Sequence, residues 1–283
     1  MSTWDSETEP PHHRVSAVGA LYGLLRAVPL ALLVFGGLLL LLAVRLIERP
    51  LHGMARPWTP YITQTVCRGA LMILGIRFTS QGTPMTQPGA VVANHSSWLD
   101  IFSLNARKRV YFVSKSQVAN WPGIGWLARA TGTVFIDRDP KQARAQKTLF
   151  EARLLAGHKL LFFPEGTSTD GLRVLPFKST LFAAFFTPEL RDVLWVQPVT
   201  VSYRAADGED PRQYGWWGEM DFAPHLLQTL TATKQGSITV SYHPPLSVAD
   251  FADRKAMAGA CEQAVRGGLQ LTPAAQSVLE GQR

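Results

Sequence analysis

The sequence predicts an α/β protein: a mostly parallel sheet flanked by helices, preceded by an N-terminal membrane-anchoring helix or two-helix hairpin. Three observations carry that prediction. Beyond residue 80, short apolar runs alternate with amphipathic segments, the pattern of strands linked by crossover helices. Ahead of it, residues 27–44 hold no charged side chain and are nearly all apolar, about 27 Å of helix and close to the thickness of a hydrocarbon core. Polar clusters directly follow three of the apolar runs, where ligand sites form beyond strand ends in such sheets.

In chain order, residues 1–14 read as a disordered tail, because they are polar, proline-containing and of mixed charge. Residues 15–80 read as the membrane anchor. Its first part, 27–44, reads as a retained membrane segment over a cleaved signal, since the preceding tail is acidic as well as basic and no small-residue cleavage pattern follows. Its second part, 61–78, is interrupted by Arg68 and Arg77, which predicts an interfacial or re-entrant segment. Arg45, Arg49 and Arg56 follow the apolar run, against Arg14 and Arg26 before it. That excess predicts that the downstream region, 81–283, lies on the cytoplasmic face of an inner membrane, for either topology.

After a Gly/Pro/Thr-rich linker at 80–89, strands are predicted at 90–93, 110–113, 133–137, 159–163, 194–203 and 237–242. Helices are predicted near 99–105, 125–130, 141–156, 180–186 and 224–233, with a last one over 248–271. The chain is 283 residues long and 46% hydrophobic, enough for a sizeable core. Its net charge of +7 suits an anionic membrane surface or a phosphorylated ligand. No zinc-finger, RNA-recognition or leucine-zipper pattern supports a nucleic-acid partner. Cys67 and Cys261 belong to no paired motif, so neither a disulfide framework nor a metal site is expected.

Chemistry concentrates in three blocks. Asn94-His95-Ser96-Ser97-Trp98-Leu99-Asp100 sets an imidazole and a carboxylate five positions apart. On an ideal helix that spacing separates them by roughly 140°, so they meet only if the chain turns between them. His95 is therefore expected at a strand-to-helix junction with Asp100 inside the helix. The second block is Phe135-Ile136-Asp137-Arg138, and the third Phe163-Pro164-Glu165-Gly166-Thr167. Taken singly, each has an ordinary structural reading: a turn or cap, a surface ion pair, a strand stop.

Together, in this order and spacing, they resemble the glycerolipid acyltransferase family. Asn94, His95 and Asp100 match its Asn-His-x-x-x-x-Asp motif, Phe135, Ile136 and Arg138 its Phe-Ile-x-Arg motif, and residues 163–167 its Phe-Pro-Glu-Gly-Thr motif. The apolar fourth motif, with its central proline, falls on 196–201. One departure stands out: members specific for glycerophosphate often carry arginine directly after Phe-Pro-Glu-Gly-Thr, whereas Ser168-Thr169-Asp170-Gly171 follows here. Loss of that cation and gain of Asp170 should weaken affinity for a phosphomonoester. This segment, with Leu175-Pro176-Phe177-Lys178-Ser179, looks more like the branch that acylates lyso-ornithine lipid.

The resemblance implies acyl transfer from acyl carrier protein or coenzyme A to the free hydroxyl of a lyso-lipid, lyso-ornithine lipid or 1-acyl-glycerol-3-phosphate, with no other cofactor. His95 is expected as general base and Asp100 as the group that orients it. Ser96 and Ser97 lie outside any Gly-x-Ser-x-Gly elbow and are assigned to hydrogen bonding. Backbone amides around Gly166 and Thr167 are candidates for holding the carbonyl oxygen's developing charge. Arg138 and Lys178 are expected to bind an anionic group, and Glu165 to position the acceptor or brace the strand end. Two other readings stay open: a hydrolase, which would release thiol without acceptor, and a non-catalytic lipid-binding protein, which would release none. The aromatic block 214–222 is read either as an interfacial segment or as packing of a long connection.

Overall fold

The computed structural model describes residues 4–6, 15–136 and 143–281. The chain opens on two helices, α1 (Ala17–His52) and α2 (Thr59–Leu74), followed by β1 (Arg77–Gln81) and β2 (Gly89–Ala93). Next come α3 (Asp100–Arg107), β3 (Tyr111–Lys115), α4 (Ile124–Thr131), β4 (Val134–Ile136), α5 (Ala143–Leu155) and β5 (Leu160–Phe162). The second half contributes β6 (Trp195–Arg204), α6 (Phe222–Thr231), β7 (Ser237–Tyr242), β8 (Leu246–Ser247), α7 (Arg254–Gly267) and α8 (Pro273–Glu280). The strands form one sheet in the order β1-β7-β6-β2-β5-β3-β4, with β8 pairing β6. Among the described residues, only the pairs β6–β7 and β6–β8 are antiparallel, so the sheet is mostly parallel.

Strand alternation sends neighbouring residues of β2 into two separate cores. Val91 and Ala93 face the core that α2, α3 and α6 cover, together with Val199, Val201 and Tyr203 of β6. Ala90 and Val92 face the other, with Leu160, Phe162 and Val196, under α5 and α7. A strand buried on both faces has no polar side to alternate with, which is why β2 reads as an unbroken apolar run.

Several boundaries depart from expectation. The segment 61–78 is divided between α2 and β1, and the linker begins with the end of β1, an edge strand paired only with β7. Exposed polar residues along β1 hid it. The segment 180–186 is a 3-10 helix, Ser179–Phe186. The helix expected over 248–271 starts later, at Arg254, where the Asp253 carboxylate accepts from the Lys255 and Ala256 amides. A single 3-10 turn, Val248–Asp250, precedes it, and α8 is a further helix. Asp100 lies within α3 as expected, as its first residue. Asp137 and Arg138 lie outside the described residues, as does most of the tail; Trp4 packs against Trp217 and beneath the Arg173 guanidinium.

The first two helices form an antiparallel pair. Side chains at Gly37 and Gly69 would collide with Val66 and Leu33, so these glycines set a close helix approach. At the turn, α2 has no side-chain cap of its own. Glu48 of α1 supplies one: its carboxylate accepts from the Trp58 and Thr59 amides at 2.7 and 3.0 Å and from the Thr59 hydroxyl, and pairs with Arg45. Cys67, Ala70, Leu71 and Leu74 bury one face of α2, and the Arg68 guanidinium caps the end of α3 by donating to the Ala106 carbonyl. The other end of α1 docks on α6, where Arg26 donates to the Leu230 and Ala232 carbonyls. Both halves of α1 are thus held along the α/β region. Its outer face, including Leu21, Leu25, Val28, Leu32, Leu39 and Leu46, is exposed. Among the described residues, α1 is the one helix long and apolar enough to cross a membrane.

Candidate active site

Parallel strands bring the first and third motif blocks to one edge of the sheet. β2 ends at Ala93 and β5, its hydrogen-bonded neighbour, at Phe162, so the loops holding His95 and Glu165 leave side by side. Asn94 fixes the start of its loop by extending the sheet with a side chain. Its amide oxygen accepts from the Val201 N–H, and its NH2 donates to the Val201 carbonyl.

The chain then turns, and His95 and Asp100 meet. His95 Nδ1 lies 2.7 Å from Asp100 Oδ2, with the imidazole side chain 22% exposed and the carboxylate wholly buried. The same Oδ2 accepts from the Ser96 and Ser97 amides at 2.9 and 3.1 Å, while Oδ1 accepts from the Tyr203 hydroxyl at 2.5 Å. Asp100 also stands at the N-terminus of α3, where the helix dipole favours negative charge. A carboxylate so surrounded takes the imidazole N–H at Nδ1, which leaves Nε2 with its lone pair to accept a proton. Phe163 stacks on the ring at 4.0 Å between centroids and holds its plane.

The third block wraps this pair. Glu165, 1% exposed, accepts from the His95 amide through Oε1 and from the Leu175 amide through Oε2, each at 2.7 Å. Both its oxygens are thereby occupied, so Glu165 braces the loop bearing His95. Burial pushes its carboxyl up to about 8, against the opposing pull of those two amides. Thr169 donates its amide to the His95 carbonyl and Trp216 its amide to the Ser96 carbonyl. The block 214–222 therefore packs over the site, with Tyr214 and Trp217 buried.

Gly166 has φ +75°, and Lys178 lies so close that any Cβ there would strike its amine. That juxtaposition brings a cation to the turn. The Gly166 N–H is spent on the Phe163 carbonyl, whereas the Thr167 amide has no backbone partner among the described residues. Thr167 also accepts weakly from the Trp4 amide. Ser96 and Ser97 are fully buried, and their hydroxyls bond to the Asn94 side chain and the Leu99 amide, so neither is placed as a nucleophile. Asp170 is buried and accepts from the Leu172 amide and from Nε and Nη2 of the Arg173 guanidinium, so its charge is compensated inside its own loop. Tyr203 was not singled out by its position inside an apolar strand; a hydroxyl near a strand end gives no signal until its partner is known.

A family model described as Acyltransferase matches residues 76–202. A lyso-ornithine lipid O-acyltransferase of Rhodobacter capsulatus is 59% identical over 266 residues, which span 94% of this chain and 96% of that protein. A 1-acyl-sn-glycerol-3-phosphate acyltransferase of Neisseria gonorrhoeae is 29% identical, over 70% of this chain and 77% of the other. The crystal structure of the 1-acyl-sn-glycerophosphate acyltransferase of Thermotoga maritima superposes with a TM-score of 0.61 at 19% identity, covering 92% of this chain and 96% of that one, a likeness of fold.

Replacing Tyr203 by Phe removes one donor from the buried carboxylate, together with the hydroxyl's hydrogen bond to Ser103. Turnover should fall about tenfold, ~1.4 kcal/mol, with KM unmoved; wild-type kcat in the purified variant would exclude a positioning role. Glu165 gives a pH test. Its raised carboxyl holds a proton in the folded chain that the unfolded chain releases near 4.5, so its contribution is complete below that pH and lost as pH rises through about 8. Glu165→Gln leaves one of two amides unpaired and should unfold more readily, by about 1–3 kcal/mol at pH 5. Denaturant titrations should show that gap closing toward pH 9, and a gap that widens instead would reverse the assignment.

Proposed function

The chain belongs to the acyltransferase family, and from that premise we propose that it moves a fatty acyl group from an acyl thioester to the free hydroxyl of lyso-ornithine lipid. The observation that carries the reading is the 2.7 Å contact between His95 Nδ1 and Asp100 Oδ2, made by a partly exposed imidazole and a buried carboxylate. His95 Nε2 takes the proton of the acceptor hydroxyl as its oxygen attacks the thioester carbonyl. The tetrahedral intermediate collapses with cleavage of the C–S bond, and the thiolate leaves with the proton returned by His95. Asp100 stabilises the imidazolium between these two transfers. The Thr167 amide and Lys178 are the donors assigned to the carbonyl oxygen and to an anionic group of either substrate. Arg138 keeps the second of those roles as an expectation from its motif. The donor is a thioester of acyl carrier protein or coenzyme A.

The acceptor assignment draws on the lyso-ornithine name of the 59% identical relative and on Ser168, which stands where glycerophosphate-specific members often carry arginine. For the membrane, we infer that α1 lies along the bilayer surface with its outer leucines in the acyl region. Docking of its two halves on α2 and α6 ties it along the α/β region, which an upright span would have to leave. The basic residues near the hairpin turn then face the cytoplasm with the α/β region.

His95→Ala should lower acyl transfer by at least about 10³-fold while leaving folding and membrane association intact. Near-normal transfer by the purified variant would refute the general base. Supplied with one thioester donor and both acceptors side by side, the wild type should prefer lyso-ornithine lipid. A preference for lysophosphatidic acid would overturn the acceptor, and thiol release without either acceptor would make the protein a hydrolase.

A further inference from the structure

Between the second half of α1 and α4 lies a cleft of about 1060 Å³ with two chemically opposite ends. Phe35, Leu39 and Leu42 line one end, and five arginines, Arg45, Arg49, Arg56, Arg129 and Arg153, line the other. It is separate from the site of His95. Arg153 donates to the carbonyl of Gly132, just ahead of β4, and lies over the ring of Tyr111, the first residue of β3. Those are the N-terminal ends of the parallel strands, whereas His95 and Glu165 follow the C-terminal ends of β2 and β5. A five-residue strand sets the two edges about 16 Å apart.

The arginines are concentrated beyond what their protein partners neutralise. Arg153 is only 9% exposed, yet among the described residues neither it nor Arg49, Arg56 or Arg129 has a carboxylate within salt-bridge distance; Glu48 pairs with Arg45 alone. Arg56 and Arg129 each donate one N–H to a backbone carbonyl, of Ala130 and Ala119. A guanidinium has five donors, so most of theirs remain for a ligand. Burial, then the charge of Arg56, pushes Arg153 down to about 10, and burial followed by Arg45 pushes Arg56 down as well. Like charges held together out of water are stabilised by a bound anion.

A free anion would cover the arginines and leave the apolar wall bare; a neutral lipid would do the reverse. We propose that the cleft holds one anionic phospholipid, its phosphodiester among Arg49, Arg56, Arg129 and Arg153 and an acyl chain against residues 35–42 of α1. The exposed indole of Trp126 on α4 suits the boundary between head group and chain. The outer face of α1 adjoins the cleft, so the lipid enters sideways from the leaflet. This proposal relies on α1 meeting the membrane, and neither on the acceptor nor on the role of His95.

The test counts retained lipid on the full-length protein in detergent by native mass spectrometry. Phosphatidylglycerol and phosphatidylcholine of identical acyl chains are offered in equal amounts. One phosphatidylglycerol should be retained per chain, at least about tenfold over phosphatidylcholine. Arg49→Glu with Arg129→Glu, both at exposed positions, should abolish that preference. Lys234→Glu with Arg254→Glu, also exposed and equal in charge change, should keep it. Equal retention of the two lipids, equal loss in both double variants, or displacement of the lipid by inorganic phosphate would each overturn the proposal. Because no turnover is read, an error in the catalytic assignment leaves the result unaffected.

Discussion

The buried carboxylate of Asp100 is the constraint on which the site is built. An ionised group with no solvent contact persists only when its lone pairs are filled. Here the partners come from three places in the sequence: His95, Ser96 and Ser97 from the loop before α3, Tyr203 from β6, and the N-terminal dipole of α3 itself. Filling those lone pairs fixes the imidazole as a consequence. The loop cannot shift without exposing a carboxylate oxygen, and the ring cannot turn without losing both that bond and its stack on Phe163.

A second buried carboxyl carries the same logic outward. Glu165 ties the His95 amide to the Leu175 amide and so locks together the loops that follow β2 and β5. The motif residues thus divide by labour. Asn94, Ser97, Glu165 and Asp170 hold backbone and Ser96 accepts from the Asn94 side chain, while the His95 imidazole stays partly exposed. Several of the polar residues that make the motifs recognisable in the sequence are spent on building the loop, and fewer remain for chemistry.

The hairpin of α1 and α2 adds an exposed apolar face to this framework. Glu48, an acidic residue near the end of α1, is explained by the unsatisfied amides at the start of α2, which it caps from the neighbouring helix. Arg68, which interrupts the second apolar segment, caps α3. Charges that weaken a membrane reading along the sequence are therefore those that fasten the two helices to each other and to α3. The leucines of α1 on the far side remain uncovered by protein.

By itself the sequence determined the class of fold, most strand positions and the pairing of His95 with Asp100, because alternation of apolar runs and a short spacing across a turn are local properties. Local patterns also gave α1, since eighteen uncharged residues admit few other readings. The tertiary structure alone decided the rest. It made β1 a strand by lending it β7, brought Tyr203 to Asp100 from about a hundred positions away, compensated the charge of Asp170 inside its own loop, and gathered arginines from α1, α4 and α5 around one cleft. The physical reason is common to all four. Hydrogen-bond satisfaction and charge compensation depend on which groups share a low-dielectric volume, and chain separation carries no information about that.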